Sequence, residues 1–136
     1  MLYQQGAAKE ACPSGWSLAS DEQWKELEME LGMSQSEADS EGYRGSPVGD
    51  KLKSDFYWDG TNESGFNAMP SGRRMRTTSK TVYGVGDYGR YWTSTELPLD
   101  SGRARFFASE NDEVSRPERS LTVHGGTGHS VRCIRD

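Results

Sequence analysis

Ala11-Cys12-Pro13-Ser14-Gly15-Trp16-Ser17-Leu18-Ala19-Ser20-Asp21-Glu22-Gln23-Trp24 is the stretch on which the fold turns, because it holds a helix end, a cysteine, a tight turn and a second helix start. Upstream, Tyr3, Ala7, Ala8 and Ala11 recur at helical spacing and predict a short helix over residues 2–11, weakened by Gly6 and ended by Cys12-Pro13. Downstream, Ser20-Asp21-Glu22-Gln23 has the form of a capping box, in which Ser20 accepts from a free amide and Gln23 reaches back. The second helix is expected over 21–31, with Trp24, Leu27 and Leu31 inward and Gly32 as its stop.

Beyond Gly32 the helical period is lost. Residues 32–65 are rich in Gly, Ser and charge and read as a long loop with at most one turn, around Val48–Leu52, anchored by Leu52. Phe66-Asn67-Ala68-Met69-Pro70, Tyr91-Trp92-Thr93-Ser94-Thr95, Ala104-Arg105-Phe106-Phe107 and Ser130-Val131-Arg132-Cys133-Ile134-Arg135 read as strands. Two early helices followed by short strands and long loops give an α+β class with a small twisted antiparallel sheet.

With 136 residues, the chain is expected to fold as one domain over residues 1–136. Apolar residues make up only 32% of it, so its core must come from few positions, and four Trp, six Tyr and four Phe supply large buried areas. The net charge of -5 gives no reason to expect nucleic acid, whose binding is driven by Lys and Arg. One run departs from that balance: Arg73, Arg74, Arg76 and Lys80 with no acid among them. Two readings stay open for it, a solvated loop facing the acidic half of the chain or a site for an anion or an acidic glycan. No stretch of about 18 apolar residues exists to span a membrane, and residues 1–20 lack the apolar core of an export signal.

Cys12 and Cys133 stand near opposite ends of the chain. Paired, they would close a loop of about 120 residues; unpaired, they would be two buried thiols. Neither has an evident His base, and His124 and His129 in a Gly-rich loop are too few for a zinc site, so no metal is expected.

Seven ordered blocks carry a resemblance: Leu2-Tyr3 through Ala7-Ala8, Ala11 to Trp16, Asp21 to Trp24, Lys51-Leu52-Lys53, Thr61 to Gly72, Tyr91 to Glu96, and Gly128 to Asp136. In order and spacing they are similar to the Fibrobacter succinogenes major paralogous domain, a family of exported bacterial lipoproteins and surface proteins. The resemblance implies a secreted or outer-surface anchored full-length protein. It also implies a segment ahead of Leu2-Tyr3 that forms a first strand in the family and is not present in this sequence. More distantly, the helix ending in Cys12, Leu18-x-Ser20-x-x-x-Trp24, the Tyr91-Trp92 strand and the final strand with Cys133 resemble the C-type-lectin-like fold shared with sulfatase-modifying factors. That likeness implies a Cys12–Cys133 disulfide. The calcium-ligand motifs of sugar-binding lectins are missing, and Trp58-Asp59-Gly60 and Glu110-Asn111-Asp112-Glu113 only echo them, so no cofactor is expected beyond a remote calcium.

For function, the expectation is a non-catalytic display domain that binds a protein or glycan at a cell surface. In retroelement-diversified lectin-like proteins, which the chain distantly resembles, the changeable side chains lie between the Trp strand and the last strand. The similar stretch here is 103–119, which offers Arg103, Arg105, Phe107, Asn111, Glu113, Arg116, Glu118 and Arg119 as ligand-binding residues, with Arg90 and Tyr91 assisting and Trp92 more in the core than in contact. The alternatives are a structural or adhesive module of a larger surface lipoprotein, or an enzyme using carboxylates such as Glu96, Glu110 and Asp112.

Overall fold

Along the described residues, 1–75, 81–121 and 127–136, the computed structural model begins with α1 (Gln5–Glu10) and a three-residue strand, β1 (Trp16–Leu18). Helix α2 (Asp21–Glu30) starts with the expected cap: Ser20 Oγ accepts from the Gln23 amide at 3.2 Å, and the Gln23 side chain accepts from the Ser20 amide at 2.9 Å. Trp24 is buried, Leu27 and Leu31 pack partly against the core, and Gly32 ends the helix with φ 121°.

The expected loop over 32–65 is instead partly regular. It holds α3 (Gln35–Asp39), β2 (Gly42–Arg44) and α4 (Val48–Leu52). A second capping box, Ser34 with Glu37, starts α3. Leu52 is fully buried, as its anchoring role requires. The expected strand at Phe66–Pro70 does not form. Asn67 has φ 58°, Pro70 has no amide to give a ladder, and only Ala68 makes a bridge, to Lys53. Pairing starts one residue later with β3 (Ser71–Arg74), then β4 (Val82–Val85), the long β5 (Tyr88–Leu97) and β6 (Ser101–Ala108), followed by β7 (Val114–Arg116), β8 (Ser120–Leu121) and β9 (Cys133–Arg135).

The fold is therefore mixed α and β, with an open, mostly antiparallel sheet in the order β2-β7-β6-β5-β3-β4, β8 pairing on β6 and the β3–β5 pair parallel. Strands β1 and β9 make a separate two-stranded ribbon. The inner sheet face packs under α2, where Trp24, Phe66, Tyr91 and Phe107 form a tilted and edge-to-face aromatic cluster with centroids 5.1–6.4 Å apart. On the outer face, Ala8 of α1 and Leu18 cover Trp92 and Ala104, and Trp92 donates its ring N–H to the Tyr3 carbonyl at 2.7 Å. Cys12 and Cys133 are joined by a disulfide, with Cα atoms 5.7 Å apart across 121 sequence positions. Among the described residues no helix is long and apolar enough to cross a membrane.

Candidate functional site

Strand residues alternate between the two sheet faces, and this splits the 103–119 segment. Arg105 pairs with Tyr91 and Phe107 with Gly89, so both point inward, where each is 0% exposed. Arg116 of β7 is buried on the same face. These three cannot serve as surface ligand contacts, a correction to the expected site. Asp21 and Glu28 lie seven residues apart, two turns along the buried stripe of α2, and they receive the arginines. Glu28 bridges Arg44 (2.6 Å) and Arg105, while Asp21 bridges Arg105 (2.7 Å) and Arg116 (2.7 Å). Burial pushes the Asp21 carboxyl up, but Arg116 and Arg105 outweigh it and hold the group at about 2. The result is an alternating ladder, Arg44-Glu28-Arg105-Asp21-Arg116, that clamps α2 to the sheet.

The other expected contacts divide between two places. Arg103 is half-buried and donates to Glu41 and to the carbonyls of Pro117 and Glu118; with the exposed Glu118 and Arg119 it flanks a shallow hollow beside the β5–β6 turn. Asn111 and Glu113 are half-buried in the β6–β7 connection, where the Asn111 side chain accepts from the Glu113 amide. Here the two calcium-motif echoes do meet, but around an amine. Lys53 Nζ, 1% exposed, reaches Asp59 (2.7 Å), Asp50 (3.1 Å) and the carbonyls of Asn111 (3.0 Å) and Ala108 (3.2 Å), over the Trp58 ring. An ammonium thus takes the cationic place among these oxygens. Among the described residues no group of three or more His, Cys, Asp or Glu could hold a metal ion.

Of the three carboxylates considered for catalysis, Glu110 and Asp112 share an open acidic hollow with Asp50 and Asp59. Glu96 lies at the opposite end of the β5–β6 pair, ion-paired with Lys9. An apolar cleft of about 360 Å³ also opens beside α2, with Trp24, Leu27, Phe66 and Ile134 in its walls. Its one cation, Arg132, is engaged with the Phe66 carbonyl (2.7 Å) and stacked over the Phe66 ring.

The outer face beyond α1 is different. Gly72-Arg73 and Gly89-Arg90 are the same dipeptide on neighbouring parallel strands, with Gly72 opposite Gly89. Both positions are too tight for a side chain: a Cβ on Gly72 would stand 2.3 Å from the Tyr83 carbonyl, and one on Gly89 2.6 Å from the Met69 carbonyl and 2.9 Å from the Trp58 ring. Each following arginine then emerges on the outer face. Arg73 and Arg90 line a cleft of about 210 Å³ with Tyr83, Gly84 and Tyr88. Gly84, at φ 71°, leaves room for Tyr88, whose ring a Cβ there would meet at 2.5 Å. Arg90 stacks over Phe106 at 4.2 Å, and Tyr43 of β2 shares the face through Ser115, which pairs with both Tyr43 and Phe106.

No carboxylate lies within ion-pair distance of Arg73 or Arg90 among the described residues. Residues 76–80 and 122–126, outside the described set, carry no acid in their sequence, and Arg76, Lys80 and His124 fall there. Arg73 thus makes no ion pair with the acidic stretch, and Arg76 and Lys80 of the same run lie outside the described residues. Partial burial, and then Arg73, push the Arg90 guanidinium down to about 10, so it stays cationic at neutral pH. His129, 1% exposed, stacks on Trp92 (4.2 Å) behind this face, and burial with the two arginines pushes it down to about 3, so it is neutral.

Arg73 and Arg90 were within reach of sequence reading, as part of the basic run and as an assisting residue. Tyr43, Tyr83 and Tyr88 were missed. For Tyr83 and Tyr88 the signal was the repeated Tyr-Gly dipeptide, Tyr83-Gly84 and Tyr88-Gly89; nothing comparable marks Tyr43. Neither the curated proteins nor the solved structures compared with the chain gave a match. A family model does match, the Fibrobacter succinogenes major domain, over residues 1–135, and the chain belongs to that family.

Proposed function

We propose that the chain is a non-catalytic ligand-binding domain of an exported bacterial surface protein, built on a C-type-lectin-like scaffold, and that it binds through the open half of the outer sheet face. One observation carries the reading: Arg73 and Arg90 stand together without carboxylate partners, beside Tyr83 and Tyr88, each more than 40% exposed. Exposed tyrosines and arginines on a rigid backbone are what non-obligate binding surfaces use, since large planar groups give contact area at low entropic cost. Secretion and surface anchoring accord with the disulfide, which persists in oxidising compartments.

The test is a screen of surface glycans and envelope proteins against the wild type and two variants. Tyr43→Ala with Tyr88→Ala alters the outer face; Glu118→Ala with Arg119→Ala alters the β5–β6 turn region. The first pair should remove hits and the second should spare them. Hits indifferent to the first pair would end this reading. The second reading, a structural or adhesive module of a larger surface lipoprotein, is favoured by the disulfide that holds the two ends of the chain together. It predicts that the turn and face variants are equally silent and that the full open reading frame encodes further domains.

A further inference from the structure

Arg73 and Arg90 share one cleft with no acid in its walls, unlike the arginines of the inner face. The chain carries 21 Asp and Glu against 16 Lys and Arg, and its buried arginines each take a carboxylate. Placing two guanidinium groups on adjacent strands costs repulsion and, for the half-buried Arg90, lost hydration. An anion between them would relieve both. The planar guanidinium fork matches a carboxylate or a sulfate oxygen pair by two parallel hydrogen bonds.

The walls narrow the ligand further. Tyr83 and Tyr88 offer flat faces with a hydroxyl at the tip, suited to the apolar face of a pyranose ring with its hydroxyls at the edge. A hollow of about 210 Å³ is below the usual range for drug-sized sites, which fits one sugar unit of a chain that continues over the open face towards Tyr43. Gly84 keeps this wall in place, because any side chain there would displace the Tyr88 ring.

The geometry points to an acidic saccharide as the ligand: a uronate carboxylate or a sulfate ester held between Arg73 and Arg90, with the ring against Tyr83 and Tyr88. This deepens the binding role proposed above and rests on it. The site needs no metal, since the protein supplies both positive charges.

Titration calorimetry of the full chain tests it with three probes: an oligogalacturonide, its methyl ester and a sulfated galactan oligosaccharide. At least one acidic probe should bind, more weakly as salt is added, and whichever binds names the anion. The methyl ester, which keeps the sugar and removes the charge, should bind about tenfold more weakly than the acid or worse. Arg73→Ala with Arg90→Ala should cause a similar loss while the melting temperature is retained, and Arg73→Lys with Arg90→Lys should restore part of the affinity. Binding of neither acid, equal binding of the ester, or an acid affinity unchanged in the double alanine variant would overturn the inference. A neutral glycan or a protein whose binding depends on Tyr43 and Tyr88 would overturn the acidic ligand and leave the binding role intact; no ligand dependent on this face at all would remove both.

Discussion

The inner and outer faces of one sheet treat arginine in opposite ways. On the inner face Arg44, Arg105 and Arg116 are buried and interleaved with Asp21 and Glu28; on the outer face Arg73 and Arg90 stand in a cleft without an acid. Residue type therefore says little about role here, and the partner says most. A guanidinium matched by an acid inside the fold belongs to stability, while Arg73 and Arg90 are the residues on which the proposed binding role rests. A buried ladder of this kind is not by itself a source of net stability, because desolvation offsets much of the attraction. Its consequence appears when one member is removed.

The largest expected effect follows from that. Glu28→Ala leaves Arg44 and Arg105 short of their shared carboxylate and should cost about 3–5 kcal/mol in urea unfolding. A loss below about 1 kcal/mol would break the contrast between the faces. Next comes acid. Asp21 is held below its unfolded value, so the stability it contributes is present above about pH 4 and is lost as pH falls towards 2. His129 is also depressed, so protons favour the unfolded chain from about pH 6.5 downwards towards 3. Stability measured against pH should thus decline in two overlapping stages, and Asp21→Asn should shrink the lower one, to which Asp39 and Asp59 also contribute, while lowering stability at neutral pH. The smallest effect is expected outside: Arg73→Ala or Arg90→Ala should change unfolding free energy by less than about 1 kcal/mol, with a gain favoured because repulsion is relieved. A loss as large as that of Glu28→Ala would show that the outer pair is structural as well.

How far the sequence reached depended on whether a signal was local. The Ser20–Gln23 cap needs four residues, and it appeared as read; the Ser34–Glu37 box was equally local and was overlooked in a stretch dominated by Gly and Ser. The Cys12–Cys133 pairing was implied by the lectin-like resemblance, and the strand around Tyr91-Trp92 was read from its local run of aromatic and β-branched residues. Arg105 could not be placed that way, since its carboxylates are 84 and 77 residues away and arginine is usually exposed. The companion clue, Asp21 and Glu28 on the same helical stripe as Trp24, shows its meaning only once a sheet packs against it. The outer cleft depends on β3 lying parallel to β5, a long-range choice that no window of sequence contains.

The disulfide has a mechanical corollary. Pulling on the two ends of this chain would send the load through α1 to Cys12, across to Cys133 and out through the last three residues. The sheet, the arginine ladder and the outer cleft all lie within the bypassed loop. Under such a load the covalent link would bear the force ahead of the loop it closes.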